Sequence, residues 1–290
     1  MNLDNPAMAK LLRSNPRTLD FEPGVFPLVI MNLEPQNEVS LHSHRFCELV
    51  FILSGSGKHT NSDDAYDLAP GDVFVVSGNH GYAQTQDLRL INVLFDPERL
   101  ALPLTEARRL PGWQAFFAIE PALRREHRFR SRLHLDPAKL SQATSIIADI
   151  DAELHSKRSG ASFVAIAHLM RLIDFLAQAY SNQTHTDSVQ VRRLGEVLGW
   201  MEEDHAKPLL LSQLAQRAHL SERQFLRVFR AACGTSPMDW LIRRRLAAAA
   251  THLSRGASVT AAANHAGFSD PAYFSRQFRK VFGIAPSKYV

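Results

Sequence analysis

The chain has 290 residues, of which 45% are hydrophobic and 21% are charged, so we expect two domains with the composition of an ordinary soluble protein. The first residues lack the basic start and apolar stretch of a secretory signal, and no run approaches the roughly 20 apolar residues that span a bilayer. The two cysteines, Cys47 and Cys233, lie far apart. We therefore expect no disulfide framework, no membrane partner and a location in the reducing cytoplasm.

The net charge of +4 is distributed unevenly along the chain. Residues 191–290 carry 15 Lys/Arg and 7 Asp/Glu, which gives +8, whereas residues 1–190 carry 18 and 22, which gives −4. A basic C-terminal block indicates a polyanionic partner, with nucleic acid as the first candidate. Charge alone leaves a merely solvated basic domain equally open.

Short apolar segments dominate the first hundred residues. Four of them are rich in Val, Ile, Leu and Phe and are separated by Gly, Asn, Asp and Pro turns: 28–33, 48–53, 72–77 and 88–95. Many short strands at such regular spacing predict a β-barrel or sandwich rather than alternating strands and helices.

The periodicity becomes helical after this β region. Asp136 followed by Pro137 is a typical helix start, and a second helix is predicted over about 161–180. The apolar side of this second helix is predicted to comprise Phe163, Ile166, Leu169, Leu172, Ile173 and Leu176.

A polar stretch without apolar periodicity covers 181–190, and we predict it to be the linker between two domains. The N-terminal domain, 1–180, would then be a β-barrel with trailing helices, and the C-terminal domain, 191–290, would be all-helical. The Arg-rich run at 124–132 is expected to be a solvated surface rather than a second nucleic-acid site.

The C-terminal domain contains an internal repeat. Residues 211–237 resemble residues 259–286, with an offset of 48 that becomes 49 near Pro271. Each copy has a small residue, Ala215 or Ala263, where two helices must approach each other closely. This is the pattern of a helix-turn-helix.

A turn and a second helix are predicted to follow in each copy. Gly267 suits a left-handed turn residue in the second copy, and His219 takes that place in the first, where the argument for a turn is weaker. Ser221 and Ser269 stand where the N-cap of the second helix is expected.

The second helix of each copy separates an apolar side from a basic side. The apolar sides are predicted to comprise Phe225, Val228 and Phe229 in the first copy, and Phe274, Phe278, Val281 and Phe282 in the second. The basic sides comprise Arg223, Arg227 and Arg230, and Arg276, Arg279 and Lys280. Such a stripe suits a helix in the DNA major groove, because arginine pairs with guanine edges and other cations neutralise phosphate. A helical bundle with fortuitously basic faces is disfavoured, because two copies share one spacing.

The stretch GFSDPAYFSRQFRKVFGIAPSKY (267–289) strongly resembles the closing motif of AraC-family transcription regulators, and the first copy with the joining helix 238–256 resembles the rest of their DNA-binding module. The resemblance implies two recognition helices in successive major-groove segments. By position it implies DNA contacts for Arg223, Gln224, Arg227, Arg230, Asp270, Ala272, Arg276 and Arg279. Because Ala272 replaces a polar residue, the second helix is expected to discriminate bases less. Three arginines of the joining helix are expected to touch phosphate at most: Arg243, Arg244 and Arg245.

The N-terminal domain carries a motif of its own. Residues 41–57 have the form His-x-His-x3-Glu-x6-Gly, which resembles the first cupin motif, and Gly71 and His80 take places in a degenerate second one. Side chains alternate along a strand, so the two histidines of the first motif share a face. The predicted ligand-binding cluster is His42, His44, Glu48 and His80.

Three uses of this cluster stay open. It could bind Fe, Mn, Ni or Zn, it could hydrogen-bond a hydroxyl-rich ligand directly, or it could be purely structural. The sequence departs from the cupin pattern, for example with Gln36 where a glycine is usual, so we predict no metal and no cofactor. Residues 42–59 and 88–95, with the two helices before the linker, also look like the rhamnose-operon activators of the AraC family. This resemblance implies a monosaccharide as the first candidate effector.

The sequence thus predicts a ligand-responsive transcription regulator, with an activator expected, rather than an enzyme. The alternatives are a cupin metalloenzyme with an attached DNA-binding module and a regulator that needs no ligand. The implied partners are a double-stranded DNA operator, a small effector, RNA polymerase and a second copy of the chain. The two helices before the linker are the expected dimer surface, although their apolar stripes could instead pack entirely on the barrel.

Overall fold

The computed structural model describes residues 11–15, 18–61, 65–76, 78–125, 133–183 and 186–289. Most of the Arg-rich run (126–132) and part of the predicted linker (184–185) lie outside these residues.

The N-terminal half is built on a nine-stranded sheet within the described residues. The strands are β1 (Leu11–Asn15), β2 (Thr18–Phe21), β3 (Leu28–Leu33), β4 (Val39–His44), β5 (Cys47–Thr60), β6 (Ala65–Leu68), β7 (Asp72–Val76), β8 (His80–Phe95) and β9 (Leu133–His134). Their order is β1-β2-β4-β8-β5-β7-β9, with β3 also paired to β8 and β6 to β5. The four segments predicted as strands correspond to β3, β5, β7 and β8.

The two long strands, β5 and β8, give the sheet two different faces. On β5, Leu49 and Phe51 point into a core shared with the helices, whereas Val50 and Ile52 point to the opposite face. This alternation follows from the two-residue period of a strand. The opposite face of the sheet encloses the polar pocket described below.

Helices follow the sheet to the end of the chain. They are α1 (Leu104–Ala107), α2 (Pro111–Trp113), a π-helix (Gln114–Ile119), α3 (Glu120–Arg125), α4 (Pro137–His155), α5 (Ala161–Ser181), α6 (Thr186–Glu203), α7 (Leu211–Arg217), α8 (Glu222–Cys233), α9 (Pro237–Ser254), α10 (Val259–His265), α11 (Pro271–Phe282) and a 3₁₀ turn (Pro286–Lys288). The predicted start of α4 is confirmed, because Asp136 Oδ1 accepts a hydrogen bond from the Lys139 N–H at 2.9 Å. The predicted order of a cupin-like β domain followed by an all-α domain is confirmed.

Helix α5 differs from its prediction at Phe163, which is 77% exposed instead of facing the core. The buried stripe runs through Ala165, Leu169, Leu172 and Leu176, and at 100° per residue Phe163 falls on the other side of the helix. Within the described residues, α5 is also the one helix whose length and apolar composition would allow it to cross a membrane.

The linker between the two domains is shorter in the structure than the predicted range of 181–190. Helix α6 begins at Thr186, so the second half of 181–190 is helical. Val191, Leu194, Leu198 and Met201 are buried at helical spacing along α6, which gives the helix an apolar face that packs against the N-terminal half.

Candidate nucleic-acid interface and ligand pocket

The two helix-turn-helix units, α7–α8 and α10–α11, turn in the same way. Gly267 has φ +83°, as the sequence predicted, and His219 adopts the same left-handed region with φ +55°. Left-handed backbone is unusual for a residue with a side chain. The turn geometry is therefore common to both units, although only one of them uses glycine.

The start of each second helix is fixed by a side-chain cap. Ser221 caps α8 as predicted: the Gln224 N–H donates to Ser221 Oγ at 3.4 Å, and the Ser221 N–H donates to Gln224 Oε1 at 3.2 Å. The prediction of Ser269 as the second cap is wrong, because Asp270 Oδ1 accepts from the Ala272 and Tyr273 N–H groups at 2.8 and 3.1 Å. Pro271 occupies the first helical position and places the cap one residue later.

These caps bear on two of the predicted DNA contacts. Gln224 Oε1 and Asp270 Oδ1 both accept hydrogen bonds at a helix start. Gln224 keeps its amide N–H groups for other partners, but the inward oxygen of Asp270 is committed to α11. Both residues thus have a structural role in addition to the role predicted for them.

Helix α8 presents three cations along one exposed face. Phe225 and Phe229 are fully buried, whereas Arg223, Arg227 and Arg230 lie on the opposite side, and all three are exposed. In the part of the chain that the structure describes, none of these three guanidinium groups forms an ion pair or hydrogen bond within the protein. Exposed cations without internal partners are available to phosphates and base edges.

Helix α11 repeats this arrangement with one change. Phe274 and Phe278 are buried, and the exposed stripe consists of Ala272, Arg276 and Arg279. The stripe thus has a methyl group where α8 has the Arg223 guanidinium. Arg276 also lies over the Tyr273 ring, 6.0 Å from its centroid.

Val281 departs from its predicted inward position and is 44% exposed. The rings of Phe282 and Tyr289 pack on Phe278 with centroid distances of 4.5 and 5.1 Å. These rings fill that end of the core and leave Val281 at the surface. On the same part of α11, Arg276, Arg279 and Lys280 line a shallow concavity that continues to Ser287, a shape and charge suited to a phosphate backbone.

The joining helix α9 carries three arginines that were expected to touch phosphate at most. In the structure, two of them instead bind groups within the protein. Arg244 Nε pairs with the carboxylate of Glu202, whose side chain is only 6% exposed. Arg245 donates to the backbone oxygens of His205 and Lys207 at 2.6 and 2.8 Å. Only Arg243 is exposed, so it alone of the three stays a candidate for phosphate contact.

We expect DNA affinity to fall steeply with salt, because the net +8 of residues 191–290 includes several exposed arginines that would displace counterions from phosphate. Each phosphate contact should add about −0.9 to the slope of log affinity against log salt. A fluorescence-anisotropy titration between 50 and 300 mM salt, roughly the range over which such slopes are measured, checks this. A flat dependence would contradict a DNA-binding surface on α8 and α11.

The fold brings the four predicted ligand-binding residues into one cluster, and three of them line the N-terminal pocket: His42, Glu48 and His80. His42 and His80 are paired across β4 and β8, with ring centroids 4.2 Å apart. His44 Nε2 and His80 Nε2 lie 2.9 and 3.6 Å from Glu48 Oε2. Glu48 and His80 are buried.

Burial lowers the pKa of two histidines of this cluster, His42 and His80. The pKa of His80 is held well below its usual value, first by burial and then by the neighbouring His42, His44 and His59. The pKa of His42 is also lowered by burial, with Glu48 opposing the shift. Both imidazoles are therefore neutral near pH 7, which allows them to accept hydrogen bonds or to ligate a metal.

A transition metal fits the same cluster. One ligand atom from each of His44, Glu48 and His80 can be chosen so that all three lie within 4.8 Å of one another, and neutral imidazole with carboxylate is a donor set for Zn, Fe, Mn or Ni. A metal-free site stays the prediction from the sequence.

Further polar residues at the pocket were not found from the sequence. Tyr82 and Asn92 line the cavity, and His59 lies behind it with its ring 5.5 Å from His80. Within the described residues, the His80 ring nitrogens, the Tyr82 hydroxyl and Asn92 Oδ1 are buried without a hydrogen-bond partner. Tyr82 and Asn92 lie outside the motif spacing, and the pairing of β8 with β4 and β5 brings them to the site.

The cavity itself is compact, with a volume of about 50 Å³. Since a water position takes roughly 10–15 Å³ on this measure, the cavity holds a few water-sized groups. Its apolar wall consists of Leu11, Leu19, Met31, Leu33, Pro35, Val39, Phe46 and Leu94. The pocket thus offers polar groups at one end and hydrocarbon around them.

Comparison with known proteins agrees with both halves of this description. A family model described as a helix-turn-helix domain matches residues 214–290, and one described as a cupin domain matches residues 29–94. The chain is 27% identical over 259 residues to the HTH-type transcriptional activator RhaR of Escherichia coli O139:H28 (strain E24377A / ETEC), covering 88% of each chain.

Two solved structures are each similar to about a third of the chain. The DNA-binding domain of AdpA, solved with a target DNA, is 35% identical and matches 33% of this chain and 88% of its own, with a TM-score of 0.33. A probable AraC family transcriptional regulator from Rhodopseudomonas palustris CGA009 is 34% identical and matches 33% of this chain and 93% of its own, with a TM-score of 0.32.

A cupin-type β domain followed by two helix-turn-helix units defines a two-domain DNA-binding transcription regulator. The chain belongs to the AraC family of such regulators.

Proposed function

We propose that this protein is a cytoplasmic, effector-responsive transcriptional activator that holds operator DNA with the exposed faces of α8 and α11. The observation that carries the proposal is a pair of exposed stripes, each on the helix that follows a left-handed turn: Arg223, Arg227 and Arg230 on α8, and Ala272, Arg276 and Arg279 on α11. RNA polymerase is the partner that activation requires. The name of the RhaR relatives, which describes them as activators, supports the sign of regulation.

The proposed effector site is the N-terminal pocket, with His42, His44, Glu48 and His80 as its polar contacts. A buried polar group without a hydrogen-bond partner destabilises the folded state. A ligand with hydroxyl groups would supply hydrogen bonds to His80, Tyr82 and Asn92 on binding. A neutral monosaccharide is the first candidate. Because the cavity is small, such a ligand would have to displace side chains of the apolar wall.

A metal is the second candidate occupant, favoured by the fit of His44, Glu48 and His80. A bound ion would supply Lewis-acid chemistry, and with turnover the protein would be a metalloenzyme carrying a DNA-binding module. We favour the regulator, since the relatives matched over 88% of their length are named as transcriptional activators.

Elemental analysis and thermal unfolding of the purified protein test these two occupants. We expect much less than one transition metal per chain and a rise in melting temperature with a neutral monosaccharide, because a ligand that binds only the folded state stabilises it. His80→Ala should abolish that rise, whereas replacing the exposed His134, which lies outside the pocket, should not. About one tightly held metal per chain would overturn the metal-free interpretation.

We further propose that the chain dimerises through α4 and α5, which pack against each other. Phe163 and Met170 are exposed on α5, at 77% and 39%, and they lie on the side of that helix that faces away from the core. Large exposed apolar side chains on one helix face are typical of association surfaces, and two copies would double the contacts to DNA.

Phe163→Glu should weaken this dimer at least tenfold, because a carboxylate would replace a ring at the centre of the interface. Analytical ultracentrifugation over a concentration series measures the effect. The control is Gln216→Glu on α7, which adds the same negative charge at an exposed position outside α4 and α5. An unchanged dimer in Phe163→Glu, or a monomeric wild type, would place the association surface elsewhere.

A further inference from the structure

Beside its buried apolar side chains, helix α6 approaches the sensor half at two glycines, where backbone meets backbone. Gly195 and Gly199 lie one turn apart, and a Cβ atom at Gly195 would lie 2.4 Å from the Pro111 carbonyl oxygen. A Cβ at Gly199 would lie 2.5 Å from the Arg109 carbonyl oxygen. Glycine inside a helix is less favourable than alanine, so two of them on one face indicate that backbone must meet backbone there.

The segment beneath α6 is held in the same way on its other side. A Cβ at Gly112 would lie 1.9 Å from the Ala177 carbonyl oxygen on α5. Residues 109–115 are thus placed between α5 and α6, with glycine at each contact. The π-helix begins within this segment, at Gln114, and this backbone form is found frequently at functional sites.

This segment also reaches the strands that form the pocket. Glu48 on β5 is paired with Val76 on β7, and β7 contacts both the π-helix and α3. Val73 and Val75, on the other face of β7, share one buried core with Phe116 and Ile119. A single sheet layer therefore separates the polar pocket from the π-helix.

The far end of α6 holds both helix-turn-helix units. Glu202 pairs with Arg244 on α9. Arg245 donates hydrogen bonds to the backbone of the loop that follows α6. In the same loop, Ala206 lies against the turn of the second unit, since a Cβ at Gly267 would be 2.2 Å from the Ala206 carbonyl oxygen. Helix α6 also packs on α7 of the first unit.

We propose that the Gly195–Gly199 side of α6, seated on residues 109–115, is the interface through which the state of the effector pocket reaches both helix-turn-helix units. The inference rests on the proposed function only where that function assigns an effector to the pocket. In this proposal DNA binding is controlled at the contact between α6 and residues 109–115. A shift of the π-helix would tilt α6, and the two helix-turn-helix units would move with the end of α6.

Hydrogen exchange of the full chain, with and without a 40-base-pair duplex of random sequence at low salt, tests this interface. Coupling between sites is reciprocal, so DNA bound at α8 and α11 should also slow exchange in 109–119, by about fivefold or more. Gly195→Val should abolish the change in 109–119 while DNA still protects α8 and α11. Gln190→Val, on the exposed side of the same helix, should behave as the wild type.

Protection of α8 and α11 with no change in 109–119 of the wild-type protein would overturn the proposal, and this comparison needs no variant. If Gly195→Val does not fold, Gly199→Ala provides the smaller perturbation of the same contact. A panel of neutral monosaccharides that leaves the wild-type melting temperature unchanged would contradict the effector assignment, but it would not alter the exchange result.

Discussion

Arg244→Ala is expected to lower the free energy of unfolding by about 3–5 kcal/mol, because it leaves the buried Glu202 carboxylate without its partner. The two side chains are 20% and 6% exposed, and the pair ties the joining helix to the end of α6. Urea unfolding followed by circular dichroism measures the change. DNA affinity should fall only as far as the folded fraction falls.

Arg243→Ala is the matched control for this variant. Arg243 is the adjacent residue and is exposed, so its loss should change stability by no more than about 0.5 kcal/mol and reduce the salt slope by roughly one unit if it touches phosphate. The opposite pattern, with a stable Arg244→Ala that has a reduced salt slope, would restore the phosphate role that the sequence predicted for Arg244.

Arg223→Ala and Arg227→Ala are each expected to cost about 1–3 kcal/mol in operator affinity and to relax preference at one base position. Both side chains are exposed in the first two turns of α8 after its Ser221 cap, and that end of a recognition helix enters the major groove. Affinities for an operator and for its single-base variants measure both effects.

Arg279→Ala on α11 is the comparison for base reading. It lies near the end of its helix, in the cationic concavity, so its loss should weaken all sequences alike. Equal weakening of every sequence by Arg223→Ala and Arg227→Ala would show that these residues are not the base readers, even though the family assignment would stand.

Local signals in the sequence were sufficient for much of the fold. The starts of α4 and α8 follow from Asp136 and Ser221, because a cap needs only its own helix to form. The cap at Ser269 was misplaced by one residue, because the proline after Asp270 moves the helix start. Phe163 was misplaced for a related reason: its apolar character suits a core, but the phase of the buried stripe on α5 excludes it.

The contacts that the sequence did not predict are those between distant segments. Arg244 and Arg245 look like solvent-facing cations in a helix, and only the approach of the loop after α6 converts them into structural residues. Tyr82 and Asn92 enter the pocket through strand pairing, which no local spacing specifies. Local sequence also does not explain Gly195 and Gly199, because the backbone that requires glycine there belongs to residues 109–115.

Selection of DNA from a random duplex pool by the purified full-length protein tests the central claim most directly. Two recognition helices on one face of the DNA predict that the half-site of each protomer contains two conserved segments about one helical turn, roughly 10–10.5 base pairs, apart. The segment that loses its preference in Arg223→Ala should be more strictly conserved than the other, because α11 has Ala272 at the matching position. A pool that shows no enrichment, or a single segment unaffected by Arg223→Ala, would contradict the proposal that α8 and α11 together recognise the operator.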